Sequence, residues 1–415
     1  MTARLAPDVE LLGPYRDSGL EQSPYLVRRG DRILQVSRLL HTVAEAADGT
    51  RSLEEMAARA GAELARPLTG EDIAFLVTAK LAPAGILALD DGPVPAGPVP
   101  APDQRLLALR FRRPLVSPRQ MDVGARWLGL LFRPAVVAGV LAAVAALDGW
   151  LFGSHGVGGA LTDVFRHPVP LVLVIALVCL SGAFHELGHA AGCRYSGGRP
   201  GVAGVGLYLW WPVMYTNVTD AYRLDRRGRL RTDLGGIYFN AVFILATFGA
   251  YAATGYEPLL ALVFLEHVLV FQQLIPWVRL DGYYIVSDLT GVPDVLSRLR
   301  PALASLVPGR PLHPAVRALR PPARRWLFGY LGSAALFVVL VLVPSIPLLP
   351  TTLAAEWSAL GPHLHALGAA AGEWDTIMVV VHAAALAVLV LPFGGLALTA
   401  GLVGARLATG AAGVA

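Results

Sequence analysis

The sequence predicts a mostly α-helical, polytopic membrane protein of about six transmembrane helices, with a small α+β winged-helix-like domain at its front. Three observations carry that prediction. Of 415 residues, 55% are hydrophobic and only 15% charged, where soluble globular chains carry nearer a quarter. Apolar runs of spanning length recur between residues 127 and 403. The arginines, which with Lys80 make up all the basic side chains, alternate between the loops that join those runs.

The front comes first in chain order. "PYLVRRGDRILQV" reads as two short extended runs around a Gly30-Asp31 turn. "SLEEMAARAG" opens with Ser52 three residues before Glu55, a capping box. In "TGEDIAFLVTAKLAPAGIL", Ile73, Leu76, Val77 and Leu81 share one helical face before a strand-like "GILAL". A small sheet and three helices make residues 1–90 a winged-helix-like domain. The segment carries slightly more acidic than basic side chains and no basic stripe on its last helix. That excludes nucleic acid as a partner and favours a peptide added to an open sheet edge, beside the plainer reading of a regulatory or assembly domain. Residues 91–126 follow as a linker, "DDGPVPAGPVPAPDQ", whose prolines make it semi-rigid, and a basic juxtamembrane segment.

The remainder, 127–415, is the membrane domain. Apolar runs lie at about 127–152, 168–193, 233–254, 258–277, 326–350 and 376–403, each near the ~20 residues a crossing needs. Six arginines fall between 105 and 126, seven between 194 and 231, and eight between 279 and 325, while the alternate loops are nearly bare, with Arg166 in one and none at 255–257 or 351–375. Basic residues collect on the cytoplasmic side, so this alternation places both termini in the cytoplasm of a multi-pass plasma-membrane protein. The N-terminal stretch has no apolar core, so no cleavable signal peptide is expected. Cys179 and Cys193 lie on one predicted helix, roughly 21 Å apart, too far for a disulfide. Both read as buried small residues, with Cys193 as a remote alternative metal ligand.

"SGAFHELGHAAG" at 181–192 ends the second run. On a helix His185 and His189 are i and i+4, so both imidazoles project from one face and can share one metal ion. Glu186 lies beside them as a proton acceptor for a water that the metal acidifies to a pKa of about 7. Two histidines and a glutamate are expensive in an apolar span unless they have a function, which weighs against a pair of packing histidines. A catalytic zinc ordinarily takes three protein ligands. Asp281, just past the fourth run in "LIPWVRLDGYYIVSDLTGVP", is the preferred third, with Pro276 to break the helix and Gly282 to allow the turn. Asp288 is the competing carboxylate. Glu266 and His267 precede Asp281 by 14 or 15 residues, roughly 21 Å along a helix, which places them outside the site as partners for neighbouring spans or, as a lesser alternative, part of a proton or water path. His382 and Asp148 read as structural. "GVAGVGLYLWWPVMYTNVT" reads as extended or re-entrant chain near the interface, either a strand against which an unwound substrate lies or a loop anchored by Trp210 and Trp211.

These motifs together resemble the site-2 protease class of intramembrane zinc metalloproteases: "HELGH" near the end of one span, "GGIYFN" opening the next, "PWVRLDG" after a later one. The longer stretches "YTNVTDAYRLDRRGRLRTDLGGIYFN" and "RLDGYYIVSDLTGVP" are similar to the peptide zinc metalloproteases of bacterial clusters for ribosomally made peptides, the daptide type included. The resemblance covers about 170 to 300. It implies Zn2+ on His185, His189 and Asp281, Glu186 as general base, and Asn240, four residues after Gly236, bonding the substrate backbone or the developing oxyanion. Gly236 and Gln273 are the further substrate-side residues; Ile237 and Gln273 stand where the family has Pro and Asn. The front resembles the PqqD-like leader-recognition domains of the same pathways. The expectation is therefore a membrane zinc endopeptidase that cleaves a ribosomally made precursor peptide, holds its leader in residues 1–90, and works beside other maturation or export proteins. The alternatives are a site-2 type protease acting on a membrane-bound regulator, and a non-catalytic export or immunity partner.

Overall fold

A computed structural model of the chain describes residues 2–30, 32–89, 109–157, 159–161, 164, 168–208, 211–387, 390, 393–394 and 401. The predicted linker, Asp31, Arg166, Trp210 and part of the sixth predicted run lie outside the described residues. The chain divides into two compact units, one of Met1–Arg105, Thr219–Leu230 and Val286–Gly329, the other of Leu106–Val218, Arg231–Ile285 and Tyr330–Ala415.

In the first unit β1 (Ala3–Leu5) pairs antiparallel with β5 (Leu87–Leu89), and β2 (Val9–Pro14), β3 (Tyr25–Arg29) and β4 (Arg32–Val36) form a second antiparallel sheet in that order. The β3–β4 turn sits at Gly30, whose φ of +54° suits a residue without Cβ. Three helices follow: α1 (Arg38–Ala46), α2 (Leu53–Leu64) and α3 (Gly70–Leu76). Each starts where a side-chain oxygen meets orphan N–H groups: Ser37 on α1, the Ser52–Glu55 box on α2, and a Thr69–Asp72 box on α3. Ile73, Val77 and Leu81 are buried in one core with Val27, Val43 and Met56, and Leu76 packs against it. His41 is buried in this region beside the Tyr25 ring, 4.7 Å between centroids. Its burial holds the imidazole below its ordinary pKa, against the opposing pull of Glu45.

The same unit contains a polar junction. Tyr15 and Arg229 both bond the Asp288 carboxylate, at 2.8 Å from the tyrosine hydroxyl and 2.6 Å from the arginine Nε. Arg229 also stacks over the Tyr15 ring and gives its other N–H groups to the carbonyls of Leu224 and Arg16. Burial, then Asp288, push the Tyr15 hydroxyl well above the ordinary tyrosine range. Arg28 and Arg223 share Glu10 and Asp220 nearby. A backbone bridge joins Leu20 to Leu319. The first 90 residues are thus fastened to chain segments from between the predicted spans.

The second unit opens with β6 (Leu109–Val116), whose partners come from far along the chain: β7 (Ala203–Tyr208) and β8 (Trp211–Thr216), in the order β6-β7-β8. The stretch expected to be extended is therefore a hairpin. Helices α4 (Pro118–Leu128), α5 (Pro134–Trp150), α6 (Pro168–Tyr195), α7 (Arg226–Thr254), α8 (Glu257–Gln273), α9 (Asp281–Thr290), α10 (Pro321–Phe337) and α11 (Leu349–Gly372) complete the main elements. Both α7 and α9 begin in one unit and end in the other.

Among the described residues, four helices are long and apolar enough to cross a membrane: Pro134–His155, Val169–Tyr195, Arg226–Thr254 and Pro321–Ser345, with mean hydropathies of 1.5 to 2.3. At most a third of each apolar window is buried within the protein. Side chains such as Leu336, Val339 and Leu340 face outward, as contact with lipid requires. The run expected at 258–277 becomes α8, of 17 residues, because the helix stops at Gln273 ahead of Pro276. The stretch 351–375, expected as a loop, is mostly helix α11, which carries Pro362 within it. Of the run at 376–403, Thr376–Ala387 is a shorter apolar helix.

Candidate metal centre

The site begins with a stripe along α6. Ser181, His185, Gly188, His189 and Gly192 fall at i, i+4, i+7, i+8 and i+11, so they share one face. The glycines let α7 approach until backbones touch. A Cβ placed on Gly188 would lie 2.3 Å from the Gly235 carbonyl oxygen, and one on Gly192 2.6 Å from that of Arg231. This is the small-xxx-small logic of helices packed in membranes. Gly236 has a more specific task. Its Cβ would fall 2.4 Å from His185 Nε2 and 2.6 Å from His189 Nε2, so the two imidazoles fill the space a side chain at 236 would take.

Asp281 reaches them because α8 stops and the chain turns through 274–280. A Cβ on Gly282 would lie 2.2 Å from the Leu274 carbonyl oxygen, so only glycine lets α9 start so close to the end of α8. The turn is pinned from two sides: the Arg279 N–H donates to the Tyr208 hydroxyl at 3.1 Å, and the Tyr330 hydroxyl donates to the Pro276 carbonyl at 2.6 Å.

His185 Nε2 lies 3.0 Å from His189 Nε2 and 3.1 Å from Asp281 Oδ2; His189 Nε2 lies 3.5 Å from Asp281 Oδ1. Four donors at bond lengths of 2.0–2.2 Å around a tetrahedral ion stand about 3.4 Å apart, so the triangle has the size such an ion needs. The second nitrogen of each ring says the same. His189 Nδ1 faces the Thr232 carbonyl at 2.8 Å, which only an N–H can satisfy, and His185 Nδ1 faces Asn240 Oδ1 at 2.6 Å. With Nδ1 protonated in both neutral rings, two Nε2 lone pairs and a carboxylate converge on one point. Asp281 Oδ2 is buried and, despite its closeness to His185, has no hydrogen-bond donor among the described residues. Converging lone pairs repel unless a cation lies among them, and this N,N,O set fits a metal ion.

The remaining predicted residues fall as follows. Glu186 follows His185 on α6, half-buried and near enough to His189 to interact electrostatically. Its backbone carbonyl accepts from the Thr216 hydroxyl at the end of β8, 3.1 Å away. Asn240 differs from its implied role. Its Oδ1 is spent on His185, and its Nδ2 donates to Ser181 Oγ and to Glu266 Oε2, each at 3.1 Å. No polar atom of that amide is left for a substrate. Gly236 makes room for imidazoles. Gln273 ends α8, and its buried Oε1 has no hydrogen-bond partner among the described residues. Asp288 is taken by Tyr15 and Arg229. Cys193 is buried and outside the donor group, Cys179 is exposed where burial was expected, and neither is in a disulfide.

The expected separation of Glu266 from the site needs correction. Measuring along one helix to Asp281 fails because the helix ends at Gln273, and Glu266 points to α6 instead, within hydrogen-bond reach of Ser181 at 2.7 Å. His267 pairs with Asp148 at 2.9 Å, and His382 lies beside His363. The sequence reading missed Ser181, the glycine pair 188 and 235, and Thr232. The first two had a signal, the Gly188-x-x-x-Gly192 spacing and its continuation two turns back at Ser181. Thr232 acts through its backbone and had none.

No protein-family model, curated protein or solved structure matches the chain.

Proposed function

We propose that the protein is an intramembrane zinc endopeptidase that cuts a ribosomally made precursor peptide, removing its leader. One observation carries the reading: two imidazole Nε2 atoms and the Asp281 carboxylate converge inside an apolar helical domain, with Glu186 beside them. Bound zinc supplies a Lewis acid for the scissile carbonyl and acidifies water to near neutral pH. His185 and His189 hold it through Nε2 and Asp281 through its carboxylate. Glu186 accepts the proton of the attacking water and passes it to the leaving amine, the two halves of general acid–base catalysis by one group.

The substrate must be extended, because a helix hides its carbonyls in its own hydrogen bonds. β8 is an edge strand of the β6-β7-β8 sheet, and Thr216 at its end bonds the Glu186 carbonyl. A peptide laid along that edge runs past the metal ligands, with Gln273 as an amide for its backbone. The open edges of the β2-β3-β4 sheet give the leader a second place for strand addition. The arginine alternation supports six crossings with both termini in the cytoplasm of the plasma membrane, where such a peptide is made.

The test is cleavage of a precursor peptide by purified wild type and Glu186→Gln, with zinc measured in both. Equal zinc and lost cleavage in the variant are expected. Unchanged cleavage removes Glu186 from the mechanism, and zinc without cleavage of any precursor favours a non-catalytic export or immunity partner.

A further inference from the structure

Behind the metal-facing triangle lies a polar chain drawn from three helices. Ser181 and His185 stand on α6, Asn240 on α7 and Glu266 on α8, with exposures of 1%, 5%, 3% and 0%. A carboxylate buried so completely costs free energy unless its bonding is used. Here it is used in a directed way. The Ser181 hydroxyl has one hydrogen and gives it to Glu266 Oε2 at 2.7 Å. Ser181 Oγ must then accept from Asn240. Glu266 Oε2 also accepts, 3.1 Å from the same amide.

The two ends of an asparagine amide are alike in shape, and only the surrounding donors and acceptors decide its orientation. Ser181 and Glu266 together demand the NH2 end. The carbonyl end is left for His185 Nδ1, 2.6 Å away, and a carbonyl can meet that nitrogen only as N–H. A neutral imidazole carries one proton, so Nε2 keeps its lone pair, and Nε2 is the atom 3.0 Å from His189 Nε2 and 3.1 Å from Asp281.

We infer that Glu266 is a positioning residue of the metal centre: through Asn240 it holds His185 in the one tautomer that can ligate. The inference rests on the metal reading above. It gives a buried acidic residue in the middle of an apolar helix a task that neither packing nor the hydrolytic step supplies. It is the carboxylate–histidine–metal arrangement with an amide inserted between carboxylate and ring.

In Glu266→Gln the new amide can donate to Asn240, whose side chain is then free to turn its NH2 toward His185 and force the proton onto Nε2. Moving the carboxylate one residue closer repairs this. In the double variant Asn240→Asp, Glu266→Gln, the carboxylate now at position 240 offers only acceptors to Nδ1, and the amide now at position 266 donates to that carboxylate. The experiment is zinc affinity by chelator competition, and the visible spectrum with cobalt, for wild type and both variants in detergent. Glu266→Gln is expected to bind zinc about 10- to 100-fold more weakly, and the double variant to return to within about threefold of wild type. Loss of a merely structural contact gives no such rescue. Wild-type affinity in Glu266→Gln, or no recovery in the double variant, overturns the inference and leaves the metal reading standing. A wild type that takes up neither zinc nor cobalt overturns both. If Glu266→Gln does not fold, the nitrogen spectrum of isotope-labelled histidine in metal-free wild type decides: His185 protonated on Nδ1 supports the inference, and on Nε2 overturns it.

Discussion

Asp281 and Asp288 stand two helical turns apart on α9 and are built into opposite surroundings. Asp288 receives a tyrosine hydroxyl and an arginine Nε, and the arginine side chain beside it is 1% exposed. Both groups donate to the same oxygen, Oδ1, so this carboxylate has its counter-charge and its donors within the protein. Asp281 faces the Nε2 atoms of two imidazoles whose Nδ1 atoms point at carbonyl oxygens, and among the described residues its Oδ2 has no hydrogen-bond donor. A buried carboxylate surrounded by donors is a fastening; one surrounded by acceptors is half of a cation site. Distance alone does not separate them, since both lie near 3 Å from a nitrogen. The hydrogen inventory does.

Exchanging each carboxylate for its amide tests that contrast most strongly. Asp288→Asn leaves Arg229 buried without its counter-charge and is expected to cost about 3 kcal/mol of stability, at the low end for breaking a buried pair. Its metal content should stay stoichiometric. Asp281→Asn should lose the metal and leave the metal-free protein within about 1 kcal/mol of wild type. Thermal denaturation with metal analysis checks both, and metal lost in the first but kept in the second would reverse the comparison. Gly236→Ala comes next. Its methyl cannot coexist with the His185 ring, so metal affinity should fall by at least tenfold. Gly249→Ala on the same helix, with nothing within 4 Å of the new carbon, should bind metal as wild type does. Tyr15→Phe removes one hydrogen bond to a charged group and keeps the arginine, for about 2 kcal/mol.

The smallest effect concerns pH. Burial depresses the folded-state pKa of His41, so the unfolded chain binds its proton more readily. Stability then rises with pH between the folded pKa and the ordinary value of about 6.5, and is lost as pH falls through that window. His41→Gln should flatten this part of the stability–pH curve, and an unchanged slope would show that His41 is not its source.

What the sequence made legible were the features that depend on local spacing. The i, i+4 histidines, the capping box at Ser52, the hairpin at Gly30 and the buried face of Ile73 and Val77 are all set by residues within one or two turns of each other. Asp281 was legible because Pro276 and Gly282 mark a break. Glu266 was not, since its position depends on which way α8 faces α6, and counting residues to Asp281 assumed a helix that stops at Gln273. The count of spans was blurred for a related reason. Hydropathy measures apolar length, while proline and helix breaks decide how much of that length is one helix, as α8 shows. Asn240 was placed by resemblance at the substrate, and only the full set of bonds to its amide shows that it turns toward His185.

The contact of Gly188 with Gly235 has a consequence for how the protein tolerates change. A contact between side chains is graded: a smaller residue leaves a gap, a larger one rotates aside, and damage scales with volume. A contact between two backbones has no rotamers and no intermediate settings. In a saturation scan, Gly188, Gly192, Gly235 and Gly282, each of which meets backbone, should therefore form a flat block in which alanine scores nearly as badly as tryptophan. Leu187, one position away on α6 and packed among ordinary side chains, should instead decline smoothly with size. That change from steps to slopes would trace the outline of the metal centre without any metal being measured.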